Sequence, residues 1–202
     1  MLVLSAPSGT GKTTLARKIL EEDEHIHLSI SATTRTQRSG EIDKKHYFFA
    51  SKKQFKQDIE DDKFLEYAEI YDEFYGTPKE DVLQKLERGT DVLFDIDWQG
   101  HRQLCATARN DVTSVFILPP SKGELYSRLC SRNQDEMKII NHRMSRADEE
   151  ISYWHHYDYI IINRDIEQSA SKLLAILKAE RLKKERRTGL NNFIKHLIIE
   201  KI

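Results

Sequence analysis

The sequence predicts an α/β fold, a mostly parallel sheet flanked by helices. Short apolar runs alternate with stretches of helical periodicity along the chain, the order that right-handed β-α-β units leave behind. The run Val92 to Ile96 is almost continuously apolar, as expected of a strand covered on both faces, yet it carries Asp95 near its end. The opening run Leu2-Val3-Leu4 leads into the glycine-containing loop Ala6-Pro7-Ser8-Gly9-Thr10-Gly11-Lys12-Thr13-Thr14, and a helical pattern follows at once.

Composition limits the rest. A chain of 202 residues holds one sizeable core with room for small inserted lobes, so a single domain is expected over 1–202. Lys and Arg (32) almost balance Asp and Glu (33), and a net charge of −1 makes no global case for nucleic acid or an anionic membrane. Charged residues reach 32%, which implies a well-solvated surface. Cys105 and Cys130 are the only cysteines and lack metal or redox spacing, so neither a disulfide framework nor a zinc site is expected; each reads as a small buried residue. The adjacent pair His155 and His156 lacks the spacing of a metal motif. Neither a leader pattern nor a membrane-length apolar run is present, so a cytoplasmic protein is expected, monomer or homo-oligomer.

Taken in order, residues 2–5 read as a strand and 13–22 as a helix with Leu15, Ile19 and Leu20 on its apolar face. Leu28 to Ser31 alternates like a second strand, and Ala32 to Glu41 is a polar loop. His46 to Ala50 is strand-like; Ser51 with Gln54 caps a helix presenting Phe55 and Ile59; Phe64 to Tyr71 is another strand. Glu73 to Pro78 reads as a turn, with Thr77 and Glu80 as a capping box opening a helix that Gly89 ends. After the strand at 92–96 come a helix over 98–108, a strand over 114–118 stopped by Pro119 and Pro120, and a helix capped by Ser121 and Glu124. Arg128 and Arg132 share one face of that helix, and the next helical stretch adds Arg143 and Arg146. Tyr159 to Ile162 is the last strand, followed by a long amphipathic helix. The six basic residues from Lys178 to Arg187 alternate with Glu180 and Glu185 and read as a solvated helical face. Leu190 to Ile202 is a further helix whose Phe193, Leu197 and Ile198 need cover.

Three groups of residues carry chemistry. In the loop, Gly9 and Gly11 let consecutive N–H groups point into one concavity at a helix N-terminus, which suits a polyphosphate; Lys12 reaches its terminal oxygens and Thr13 a magnesium ion. Asp95, delivered by an apolar strand, is the carboxylate that would hold the same ion, partly through water. The arginines after the fourth core strand suit the charge that spreads over a moving phosphoryl group. Arg35, Arg38, Tyr47 and Tyr75 suit a terminal phosphate monoester; spacing alone equally fits two surface arginines and two half-buried tyrosines. The Asn-Lys-x-Asp tetrad of small GTPases is absent.

The stretches Ser-Ala-Pro-Ser-Gly-Thr-Gly-Lys-Thr, Thr-Thr-Arg-Thr-Gln-Arg-Ser-Gly-Glu, Tyr-Phe-Phe, Phe-Leu-Glu-Tyr-Ala-Glu, Tyr-Gly-Thr, Phe-Asp-Ile-Asp-Trp-Gln-Gly, Phe-Ile-Leu-Pro-Pro-Ser and Ala-Glu-Arg-Leu occur in this order from residue 5 to about 182. In them the chain resembles the guanylate kinase family of phosphate-loop nucleoside monophosphate kinases. The resemblance implies a core (about 1–32, 81–121 and 151–202), an inserted GMP-binding lobe (about 33–80) and a helical lid (about 122–150). It implies ATP as donor with Mg2+ at Thr13 and Asp95, and GMP as acceptor. ATP would be held by Ser8, Gly9, Thr10, Gly11, Lys12, Thr13, Thr14 and Asn163. Ser31, Glu66, Thr77 and Asp97 match the guanine-reading positions, with Gly76 beside them, and Arg35, Arg38, Tyr47 and Tyr75 match those holding the GMP phosphate. Lys12, Arg38, Arg128, Arg132 and Arg143 match the catalytic clamp. The chemistry agrees: guanine offers N1–H and a 2-amino group that one Glu66 carboxylate can accept together, and adenine offers neither donor there. The sequence departs from the family pattern at Gln37, Lys44, Ser131, Asn133 and Arg164, which bears on loop and lid behaviour. Two competing functions are a kinase for another phosphorylated small molecule and a non-catalytic interaction module of the same fold.

Overall fold

A computed structural model describes residues 1–70, 72–131 and 137–200. Strand β1 (Leu2–Ser5) enters the glycine loop and α1 (Lys12–Glu22) leaves it; β2 (Ile26–Leu28), β3 (Ala32–Thr33), β4 (Phe48–Phe49), α2 (Lys52–Glu60), β5 (Phe64–Ile70) and β6 (Glu73–Pro78) follow. Then come α3 (Lys79–Glu87), β7 (Asp91–Asp95), α4 (Trp98–Ala108), β8 (Thr113–Leu118), α5 (Lys122–Ser131) and α6 (Met137–Ser152). The chain ends with β9 (Tyr159–Ile162), α7 (Ile166–Arg181) and α8 (Leu190–Ile199).

Five strands form a wholly parallel sheet in the order β2-β7-β1-β8-β9. Both faces are covered, as the apolar runs required. Leu2, Leu4 and Leu93 pack with Leu15 and Ile19 of α1 and Leu173 and Leu177 of α7. Val3, Val92 and Phe94, the alternate residues of the same strands, pack with Val82 of α3 and Leu104 of α4. The register sets the site: Leu4 pairs with Asp95, so the loop after β1 and the carboxylate ending β7 emerge side by side.

A second sheet, β4-β3-β6-β5, is antiparallel except between β3 and β4. Its core is aromatic. Phe55 of α2 is fully buried and stacks on Phe64 at 4.5 Å and Phe74 at 5.5 Å between centroids. Ser51 holds the start of α2 by accepting the Gln54 N–H, as its position before the helix predicts. Helices α5 and α6 pack on each other through Leu125, Leu129, Ile140 and Ala147.

Several expectations need correction. Leu28 to Ser31 is not one strand: β2 ends at Leu28, Ser29 donates its N–H to the Leu93 carbonyl at 2.8 Å, and the chain then leaves for β3 in the other sheet. Alternation marks residues in extended backbone and carries no record of a change of sheet. Glu73 to Pro78 is a strand rather than a turn; the reversal comes just before it, where Asp72 has φ of 63°. Thr77 and Glu80 form no capping box, because the Thr77 hydroxyl is spent on Glu66 and α3 starts after Pro78 without a side-chain cap. Glu180 is not on a solvated face: it is buried and accepts from Thr113, Tyr159 and Lys183. Both cysteines are free and only half-buried. Phe193, Leu197 and Ile198 of α8 are exposed. Among the described residues no helix is long and apolar enough to cross a membrane.

Phe55→Ala should remove the centre of the small sheet's core at a cost of about 3–5 kcal/mol. Hydrogen exchange is expected to accelerate in β5 and β6 and stay slow in β1 and β8; uniform acceleration in both sheets would contradict separate cores.

Candidate active site

The phosphate loop is shaped from below. Gly9 and Gly11 have φ of 92° and 97°, and a methyl group on them would lie 2.9 Å from Leu129 Cδ2 and 2.8 Å from Asn163 Nδ2. Thr10 is buried between them; its hydroxyl and its N–H both donate to the Pro7 carbonyl. The Thr10 carbonyl in turn accepts from Asn163 Nδ2 at 2.7 Å and from the Arg128 guanidinium at 3.4 Å. Asn163 is itself buried and takes the Ser169 hydroxyl on Oδ1 at 2.9 Å. Arg128 also reaches the Asn163 carbonyl at 3.2 Å and Glu124 at 2.9 Å, so it fastens α5 to the loop.

Lys12 Nζ lies 2.6 Å from Asp95 Oδ1 and 3.2 Å from the Ile96 carbonyl, while the Thr13 hydroxyl donates to Asp95 Oδ2 at 3.2 Å. A cavity of about 250 Å3 opens above the loop, lined by Ser8, Gly9, Gly11, Lys12 and Thr13 and, from α6, by Arg143 and Glu150. Burial pushes the Glu150 carboxyl up, against the pull of Arg146, Lys12 and the Ser8 N–H.

A second cavity of about 270 Å3 shares Lys12, Thr13 and Ile70 with the first and is otherwise lined by Ser31, Tyr47, Glu66, Ala68, Tyr75, Asp95, Ile96 and Asp97. Glu66 is buried at its inner end and accepts the Thr77 hydroxyl on Oε1 at 2.6 Å. Burial raises the Glu66 carboxyl to about 7, and neighbouring Asp97 adds to the rise; the Thr77 hydrogen bonds and Lys12 oppose it. Asp97 caps α4, accepting the N–H groups of Gln99 and Gly100 on Oδ1, each at 3.0 Å. Tyr47 and Tyr75 meet edge to face at 6.3 Å, and the Arg35 guanidinium lies 5.2 Å from the Tyr47 ring centre. Glu41 grips Arg35 with both oxygens, at 2.8 and 3.0 Å, and also accepts the Arg38 backbone N–H at 2.7 Å. The pairing with Arg35 lowers the Glu41 carboxyl to about 2 and raises the guanidinium further.

A family model described as guanylate kinase matches residues 1–180. The chain is 53% identical to a guanylate kinase of Bradyrhizobium diazoefficiens over 197 residues, covering 98% of this chain and 90% of that protein. It is 50% identical to one of Paramagnetospirillum magneticum over 197 residues, covering 98% and 92%. The crystal structure of guanylate kinase from Anaplasma phagocytophilum superposes with a TM-score of 0.83 at 36% identity, covering all of this chain and 96% of that one. The chain belongs to the guanylate kinase family.

Within that family framework, the structure brings Ser8, Gly9, Gly11, Lys12, Thr13 and Arg143 together at one cavity and Ser31, Tyr47, Glu66, Tyr75, Asp95 and Asp97 at the other. Thr10 and Asn163 are buried beneath the loop, and Arg128 is tied to it from the side. Thr14 is half-buried in α1 and lines neither cavity. Thr77 and Gly76 line neither cavity: Thr77 donates to Glu66, and Gly76 packs closely, since a methyl there would lie 3.0 Å from Phe55 Cζ. Arg35 stands beside Tyr47, whereas Arg38 is exposed and outside both linings. Arg132 and Asn133 lie outside the described residues. Lys44, one of the departures from the family pattern, has φ of 62°, a backbone that favours glycine.

Sequence reasoning missed Glu41, which grips Arg35, Glu150, which lines the first cavity, and Gly100 and Gln103 of α4, which stand against Glu66 and Tyr67 of β5. Glu41 and Gly100 stand inside the motifs that carried the resemblance, but their partners, Arg35 and Glu66, become visible only once chain direction is known. A carbon-detected NMR titration should give Glu66 a midpoint near 7. Thr77→Val should move it higher, because the lost hydrogen bond favours the ionised form; a midpoint near 4.5 in either protein would contradict the burial described.

Proposed function

We propose that the chain transfers the γ-phosphoryl group of ATP to the phosphate of GMP. The observation that carries this reading is the meeting of two cavities at Lys12 and Thr13, one framed by a phosphate loop and the other ending in a buried carboxylate. ATP phosphates lie on the loop, and GMP enters the second cavity with its base at Glu66. The ionised Glu66 accepts both guanine donors, while Thr77 keeps one of its oxygens oriented. Arg35, preset by Glu41, and the Tyr47 and Tyr75 hydroxyls face the GMP phosphate, with Arg38 supplied from the same loop. Lys12 exchanges Asp95 for phosphate oxygens when ATP binds, and Arg143 approaches from α6 as α5 and α6 act as a lid.

The donor set at the loop fits Mg2+: a hydroxyl and a carboxylate 3.2 Å apart are hard oxygen ligands beside the phosphate position. Thr13 and Asp95 would hold the ion, Asp95 partly through water, and there it would neutralise phosphate charge. The rate enhancement assigned to this chain's own residues is in-line positioning of two phosphates in a site closed to water. A cytoplasmic location belongs to the same reading, because the substrates it invokes are ATP and GMP.

An ADP-release assay over AMP, CMP, UMP, dTMP and GMP should show turnover with GMP alone. Lys12→Ala should lower kcat/KM by at least about 100-fold in a protein that stays folded. No GMP-dependent turnover, or equal turnover with AMP, would contradict the reading.

A further inference from the structure

Gly100 has a buried, motif-embedded position and no role in the chemistry described so far. A methyl group there would lie 2.3 Å from Glu66 Oε2, 3.0 Å from Glu66 Cδ and 3.2 Å from Ile96 Cδ1. The closest of these separations lies far inside van der Waals contact, so something must give way. The two elements that meet at this point are held from three sides. Asp97 fixes the first turn of α4 by accepting the Gln99 and Gly100 N–H groups. One turn later, Gln103 pairs with both backbone groups of Tyr67, the residue after Glu66: its Oε1 accepts the Tyr67 N–H at 3.0 Å and its Nε2 donates to the Tyr67 carbonyl at 2.6 Å. Gly100 and Gln103, three residues apart, share a helix face, so Gln103 clips α4 to β5 beside the point of closest approach. Across the strand pair, Thr77 holds the other Glu66 oxygen at 2.6 Å.

We propose that Gly100 is a positioning residue for guanine specificity: its missing side chain, with α4 clipped to β5 by Gln103, leaves the space in which the Glu66 carboxylate stands to face the base. The proposal rests on the GMP reading above. It has a distinctive energetic signature. What a methyl group displaces is the tip of a side chain, while the backbone of α4 and β5 is held by Gln103 and Asp97. The fold therefore survives and the recognition does not, because a carboxylate moved by about 1 Å no longer meets two parallel N–H donors.

The test measures steady-state kinetics for the parent, Glu66→Ala, Glu66→Asp, Gly100→Ala and Gly100→Ala with Glu66→Asp. Gly100→Ala is expected to lower kcat/KM for GMP by about 100-fold, mostly through KM, with KM for ATP within about twofold and an unchanged circular dichroism spectrum. The shorter carboxylate relieves the crowding, so the losses in the double variant should fall well short of multiplying. Gln103→Ala adds no volume and covers the case in which Gly100→Ala fails to fold; a rise of about tenfold in KM for GMP is expected, with KM for ATP unchanged. A parent without GMP turnover overturns this proposal together with the function it rests on. GMP turnover lost in Glu66→Ala but retained in Gly100→Ala, fully multiplicative losses, or an unaltered KM in Gln103→Ala overturns the role of Gly100 and leaves the function standing.

Discussion

The ion pair between Lys12 and Asp95 is the point from which the rest of the site is laid out. It exists because β1 and β7 are parallel neighbours in a register that pairs Leu4 with Asp95, so a loop leaving one strand and a carboxylate ending the other reach the same place. Both side chains retain about a fifth to a quarter of their exposure, so the pair is worth little as a stabilising contact. That weakness suits its use. On the proposed function, a polyphosphate would present more negative charge to Lys12 than one carboxylate does, and the exchange would leave Asp95 and the Thr13 hydroxyl to serve as hard oxygen ligands.

The two halves of the site follow different physics. The proposed donor half is built from backbone: positive φ at two glycines, a buried Thr10, Asn163 beneath and Arg128 at the side, which together hold a curl that would take phosphate regardless of the base attached. The proposed acceptor half is built around a desolvated carboxylate. Glu66 is kept in the interior at the cost of a raised pKa, and that cost is offset when a base supplies donors in place of water. A base without those donors leaves the charge buried and unpaired, and selectivity of this kind is steep.

Much of this was legible in the sequence where neighbours along the chain determine the outcome. Strand, glycine loop and helix around Lys12, the doubly covered run ending at Asp95, and the helix opened by Ser51 all depend on local pattern. The failures share one cause. Gly76 and Pro78 signal a turn by composition, yet they lie in a strand because Phe55 packs against the bare Gly76 and Pro78 sits at the strand's end. Thr77 looked like a helix cap because its true partner, Glu66, is a cross-strand neighbour. Glu180 looked solvated because Thr113 and Tyr159 approach it from other elements. Glu41 and Gly100 stand inside family motifs, but the motifs do not say what they face, and their contacts with Arg35 and Glu66 appear only in the fold.

The central claim is that two nucleotides meet head to head across Lys12 and Thr13, one chosen by phosphate and the other by base. The most direct measurement is calorimetric titration with adenosine and guanosine joined 5′ to 5′ through five phosphates, set beside the diadenosine compound of the same length. The mixed compound should bind at least about 100-fold more tightly than ATP or GMP alone, because the second cavity is then filled intramolecularly, and the diadenosine compound should bind much more weakly than the mixed one. Equal affinity for the two compounds, or a mixed compound no tighter than ATP, would contradict the claim.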